Sequence, residues 1–172
     1  MSVVINGTGS ISGLSNVGGI DLPQSGSVLQ VVQTYFTTSF STTATSYTNV
    51  TGFVASITPK FSTSKVLVML TAGVDSYNTQ LMMAMTRNGS LIGQSTAGIT
   101  INGIGSWWGN NGGSTNSSIV TNYLDSPSTT SSTTYQIQVL RNGGSANAIT
   151  VGSSYNGNYG VTCSLTLLEI AA

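Results

Sequence analysis

Apolar and polar residues alternate in twos through most of the chain from Val28 onward, a period that belongs to strands with one buried face. Residues 28–36 (VLQVVQTYF) open the pattern. Residues 47–57 are rich in Tyr, Val, Thr and Phe and stop short of Pro59. Residues 65–74 (KVLVMLTAGV) form a long apolar run, and both faces of that strand are expected to be covered. Residues 81–86 and 91–95 flank Arg87-Asn88-Gly89-Ser90, where Asn-Gly between two strands predicts a tight hairpin. A strand at 118–124 is stopped by Asp125-Ser126-Pro127. Residues 135–140 (YQIQVL) alternate and run into Arg141-Asn142-Gly143-Gly144, which reads as a second turn of the same kind. Segments 148–155 and 159–170 close the chain. In the last, Val161, Cys163, Leu165 and Leu167 are expected on one face, and Thr162, Ser164, Thr166 and Leu168 on the other. No window carries a 3.6-residue stripe. Leu81 to Met85 contains helix formers, but its length and Asn-Gly exit favour a strand. The prediction is an all-β, two-sheet antiparallel jelly-roll sandwich of about eight to ten strands.

The first 27 residues break that pattern. They are Gly- and Ser-rich, with single apolar residues set between turn formers, and they predict an extended N-terminal arm (1–27) ahead of a β-domain (28–172). Val3, Val4 and Ile5 are expected to add as a strand to a neighbour's sheet edge, with Ile11 and Leu14 as further contacts. No basic stretch precedes an apolar segment at Met1, so no secretory signal is expected, and the Met-Ser start suggests a complete gene product.

Charge changes the picture more than any motif. Charged residues are 5% of the chain, four basic and four acidic, for a formal net charge of zero; ordinary domains carry roughly 25%. Hydrophobic residues are 39%, so the chain has enough to build a core. A free monomer with so few charges has little colloidal protection. Two implications follow: much of the surface is covered by neighbours in an assembly, or it must stay neutral and insensitive to salt. Four scattered cations make no stripe for phosphate and no patch for anionic lipid, which argues against nucleic-acid and membrane partners.

Candidate chemistry is sparse. The absence of histidine removes the commonest general base and metal ligand, and with it every Ser-His-Asp or Cys-His arrangement. The carboxylates sit on separate segments, and Asp125 ahead of Ser-Pro reads as a turn residue. Cys163 alternates with apolar residues and reads as a small buried hydrophobe. No catalytic residue, cofactor site or metal site is expected, and the chain is not expected to be an enzyme. Trp107-Trp108 is the exception that asks for a function. If the pair is extended, its rings point to opposite sides, so one fills the core and the other faces out. Three uses stay open for them: capping the end of the sandwich, contacting a protein neighbour, or stacking on a sugar.

The arm INGTGSISGLSNVGGIDLPQSGSVLQVVQ, the segment ITPKFSTSKVLVML with Pro59 and Ser64-Lys65 before the apolar strand, the hairpin MTRNGSLIG and the terminal SLTLLEI together give a resemblance. The chain resembles the small jelly-roll domains of tailed-bacteriophage virions, which look like trimeric tumour-necrosis-factor or complement-C1q heads. That resemblance implies a homotrimer about a threefold axis and brings no catalytic residues. Such domains serve as capsid decoration (cement) proteins or as tail-fibre heads. A short arm with no shaft favours decoration on the outer capsid surface, with the major capsid protein or neighbouring virion proteins as partners. The alternative is a receptor-binding head in the tail, recognising a host surface glycan or protein.

Overall fold

In a computed structural model the chain is all-β among the described residues, which are 23–95, 102–109, 115–154 and 157–172 with the short strands at 16–17 and 20–21. The strands are β1 (Asn16–Val17), β2 (Ile20–Asp21), β3 (Val28–Phe36), β4 (Phe40–Thr42), β5 (Thr48–Ile57), β6 (Lys65–Ser76), β7 (Thr79–Arg87), β8 (Ser90–Ile92), β9 (Gly105–Trp108), β10 (Thr115–Asp125), β11 (Thr133–Gly144), β12 (Ile149–Val151) and β13 (Cys163–Ile170). β1 and β2 pair only with each other.

The long strands pair in a nested order. β3 pairs with β13, β5 with β11, β6 with β10 and β7 with β9, all antiparallel. First with last, second with next-to-last, and so inward is the pairing of a long hairpin rolled into two sheets, which is a jelly roll. The first sheet runs β3-β13-β6, with β10 on the far edge of β6; the second runs β5-β11-β7, with β8 and β9 beyond β7. β12 and β4 extend the first sheet beside the C-terminal half of β6.

The inward residues of both sheets make one core. Val66, Val68, Leu70, Ala72 and Val74 of β6 meet Leu81, Met83 and Met85 of β7, Ile137 and Val139 of β11, and Cys163, Leu165 and Leu167 of β13. Phe36 and Phe53 stack across the sheets with ring centroids 5.2 Å apart. β5 carries a bulge at its middle. Gly52 takes φ +88°, and the Gln136 amide fills the gap by donating to the Val50 and Phe53 carbonyls at 2.9 and 3.0 Å.

The Asn88-Gly89 turn forms as expected: Arg87 pairs with Ser90, and both central residues have positive φ (49° and 85°), the mark of a type I′ hairpin. The expected turn at 141–144 is different. β11 runs on through Gly144, and Gly143 and Gly144 with φ of 66° and 70° form a bulge opposite Thr79, where a side chain on Gly144 would strike the Asn78 carbonyl. The coverage expected of residues 65–74 also differs. From Ala72 onward β6 is buried on both faces, but Met69 and Thr71 face solvent. Val161 departs from its expected face as well: it precedes β13 and packs on the outer side of the sheet over Gly73.

Charge is spent where the sheets meet. Asp125 at the end of β10 receives Arg87 Nη1 from the other sheet at 2.8 and 2.9 Å, and the Tyr135 hydroxyl donates to it at 2.7 Å. Burial, then the Asp125 carboxylate, pushes the Tyr135 phenol far up, so it stays a donor at any working pH. Asp125 is therefore a cross-sheet anchor and not only a turn residue. Asp125→Ala strands the Arg87 cation and the buried Tyr135 hydroxyl. Because the Arg87 side chain stays 32% exposed, the loss should fall near the low end for a broken buried pair, about 3 kcal/mol. Thermal unfolding should show it as a drop in Tm of about 6–12 °C; an unchanged Tm would remove the anchor from the account.

Candidate functional site

Of the residues singled out from sequence, Val3, Val4, Ile5, Ile11 and Leu14 lie outside the described residues. Trp107 and Trp108 are both placed, on β9. Trp107 pairs with Leu81 and packs against the core, whereas Trp108 pairs with Gln80 and is 53% exposed. The strand alternation that separates them is held by two close approaches. Gly105 leaves room for Ile119, whose Cγ2 would lie 2.7 Å from a Cβ there. Gly109 lies against the Ser76 backbone and donates its N–H to the Thr79 carbonyl at 3.0 Å. The β6–β7 turn thus pins the end of β9, and Trp108 is presented from fixed backbone.

The outer face of the second sheet around Trp108 is polar and amide-rich. Cross-strand registers place Trp108, Gln80 and Asn142 in one row, and Ser106, Met82 and Leu140 in the next. Asn142 Nδ2 donates to Gln80 Oε1 at 2.7 Å, and Gln138 Nε2 donates to Asn49 Oδ1 at 2.8 Å.

The outer face of the first sheet is the opposite. Its registers align Leu124, Leu67, Leu168 and Val31 in a straight row across β10, β6, β13 and β3. The next rows are Asn122-Met69-Thr166-Gln33 and Val120-Thr71-Ser164-Tyr35. None of these twelve residues is charged. Val31 (58%), Leu124 (55%), Val120 (65%) and Tyr35 (60%) are open to solvent in the single chain. Sequence reasoning missed this face. Its signal was present: positions 67, 69, 120, 124 and 168 are apolar where a solvated face would be polar.

Three of the four acidic residues are withdrawn from the surface. Asp75, Asp125 and Glu169 are all buried. Glu169, at the end of β13, accepts from Gln30 Nε2 at 2.6 Å and from the Lys60 N–H at 2.7 Å, tying β3 and the 58–64 loop to the sheet. Burial alone would raise its pKa, but the nearby Ser64 hydroxyl and the hydrogen bonds from the Gln30 amide and the Lys60 and Phe61 N–H groups hold it below the usual carboxylate range. Cys163 is a free, fully buried thiol whose pKa is pushed up by burial. Among the described residues no three of His, Cys, Asp and Glu come together as metal ligands. A shallow cleft of about 190 Å³ beside the C-terminus is lined by Pro23, Phe61, Thr63, Ala171 and Ala172, none of which carries an acid, base or strong nucleophile.

No family model and no curated protein matches the chain. Among solved structures it is similar to a chain in a structure of infectious bursal disease virus, Gx strain, with 16% identity and a TM-score of 0.39. The match covers 98% of this chain and 43% of that one, so this chain spans less than half its length. A superposition that loose carries no argument, and the jelly-roll assignment stands on the strand pairings.

The Glu169 geometry fixes a pH response. A carboxyl held below its unfolded value, about 4.3, adds stability that is complete above that value. The contribution is lost as pH falls through the lower folded-state value. Chemical denaturation followed from pH 6 down to about pH 3 should therefore show falling stability, and Glu169→Gln should flatten that fall. An equal slope in both proteins would assign the acid sensitivity elsewhere.

Proposed function

We propose that this chain is a non-enzymatic structural protein of a virus particle, of the capsid-decoration type. It assembles with copies of itself as a homotrimer on the outer capsid surface, against the major capsid protein. The observation that carries the reading is the uncharged, largely apolar outer face of the β10-β6-β13-β3 sheet on a molecule that buries Asp75, Asp125 and Glu169.

The occupant that suits this face is a second copy of the chain. Three rows across four strands span about 20 Å by 20 Å, a patch of about 400 Å² in which the apolar residues are the majority. That lies within the range that lone monomers expose, about 300–600 Å², and supplies about half of the roughly 800 Å² per partner that a standard interface uses. The twelve residues offer no charge by which a charged partner could be recognised, whereas an aliphatic row suits an uncharged flank of the next copy in a threefold ring. A closed ring covers such faces on every copy without leaving an open end. Contacts of this kind are indifferent to salt, as a lattice clamp outside the cell must be.

The non-enzymatic part of the reading is supported by the absence of histidine and by the structural use of Asp125 and Glu169. Electron microscopy of the intact particle tests position. Copies in register with the capsid lattice are expected, and copies confined to the tail would replace decoration by the fibre-head reading.

Met69→Glu combined with Leu124→Glu places one carboxylate in the middle row of the patch and one on its β10 edge, and both residues are open to solvent in one copy. The variant should keep its Tm as a single subunit and weaken self-association by at least about tenfold in analytical ultracentrifugation. A wild-type protein that stays a single subunit at high concentration would sink the reading.

A further inference from the structure

The face around Trp108 has a chemistry that self-assembly through the other sheet does not use. Trp108 is 53% exposed on a strand whose end is pinned by the Gly109–Thr79 hydrogen bond. Beside it in the same cross-strand row lie Gln80 and then Asn142. The two amides are oriented by one hydrogen bond, Asn142 Nδ2 to Gln80 Oε1 at 2.7 Å. That bond uses one amide's oxygen and the other's nitrogen. It leaves Gln80 Nε2 as a donor and Asn142 Oδ1 as an acceptor in line with the indole, neither bonded to another described residue. Ser106, exposed two residues before Trp108, adds a hydroxyl on the same face.

We infer that Trp108, Gln80 and Asn142 form a binding site for a neutral oligosaccharide. An indole ring offers a flat apolar plane with a negative π-face, which suits the slightly positive C–H face of a pyranose. Planar amides with a fixed donor and acceptor suit the paired hydroxyls on the sugar's rim. Neutrality of the ligand follows from the surroundings. The row holds no charged residue, and the guanidinium of Arg141, next in sequence to Asn142, is engaged by the Thr43 and Ser145 carbonyls. A protein neighbour would bury Trp108 too. It would gain little from an amide pair already bonded to itself and still presenting polar groups outward, so the sugar is the better fit. The inference stands apart from the position of the protein on a particle, and from the face by which copies meet.

The test is a titration of the full chain with cello-, malto-, isomalto- and chito-oligosaccharides, followed by NMR of the two indole N–H signals. At least one sugar should bind with a Kd of about 1 mM or tighter, shifting the Trp108 signal and leaving that of core-packed Trp107 in place. Trp108→Ala should weaken that binding by about tenfold or more, and Trp108→Phe should restore part of it. Gln80→Ala and Asn142→Ala should each weaken it several-fold. The Tm and sedimentation of all four variants should match wild type, which separates this site from the self-contact. The inference is overturned if no sugar shifts the Trp108 signal at about 10 mM, or if Trp108→Ala binds as wild type does. Loss of self-association in Trp108→Ala would also overturn it, and would give the ring to a protein contact instead.

Discussion

Strand β6 carries the architecture. Along one edge it pairs with β10 over nearly its whole length, from Asp125–Val66 to Thr115–Ser76. Along the other it has two partners end to end, β13 from Lys65 to Thr71 and β12 from Val74 to Ser76. Buried backbone groups must find partners, so this arrangement leaves little freedom in where the neighbours lie. It also dictates what happens outside. The chain between β12 and β13 has to leave and re-enter the same edge of β6, and it does so over the outer surface, where Val161 settles on Gly73. The C-terminal half of β6 is covered on both faces for that reason. Among the described residues no connection crosses the N-terminal half, and Leu124 and Val31 at the two ends of the row stay open.

The two outer faces therefore differ in origin as well as in chemistry. One is an uncharged plane crossed by an aliphatic row, on the sheet built from the first and last long strands. The other is an amide-bearing plane on the sheet built from β5, β11 and β7, with an indole at its margin. Cross-strand pairing turns single residues into rows, so a few choices per strand are enough to set the character of a whole face. Gln138 on Asn49 and Gln80 on Asn142 make one such choice; Leu67 on Leu168 makes the other.

Much of this was legible from period-two patterning and one turn. The Asn88-Gly89 hairpin, the strand nature of Leu81–Met85 and the core-facing Cys163, Leu165 and Leu167 each follow from local rules. What was not legible depended on partners distant in sequence. Gly143-Gly144 has the composition of a turn, but opposite Thr79 it serves as a bulge that lets β11 continue. Residues 65–74 look covered on both faces because Leu67 and Met69 are apolar; nothing local says that only the later half meets a crossing loop. Asp125 ahead of Ser-Pro satisfies a turn rule, and its larger role needed Arg87 and Tyr135 brought in from the opposite sheet. The alternation of Trp107 and Trp108 was a local inference, whereas the amides beside Trp108 come from β7 and β11 and only the register assembles them.

Scarce charge is the last link. Burying a carboxylate is costly unless its lone pairs are filled, and for Asp125 and Glu169 they are filled where the two sheets close on each other or a sheet ends. Each acid used that way is lost to the surface, whose hydration then rests largely on Ser, Thr, Asn, Gln and Gly. Hydroxyls and amides hydrate a face without making copies repel one another, so little electrostatic repulsion opposes the aliphatic row meeting a sister copy. In a protein with ordinary surface charge, an apolar row of this length would be guarded by like-charged rims or broken by a lysine. Here no charge interrupts the row itself, and Lys65, the cation at its margin two residues before Leu67 on the same strand face, donates to Ser126 Oγ at 2.9 Å, so the outer sheet is left free to close on another copy.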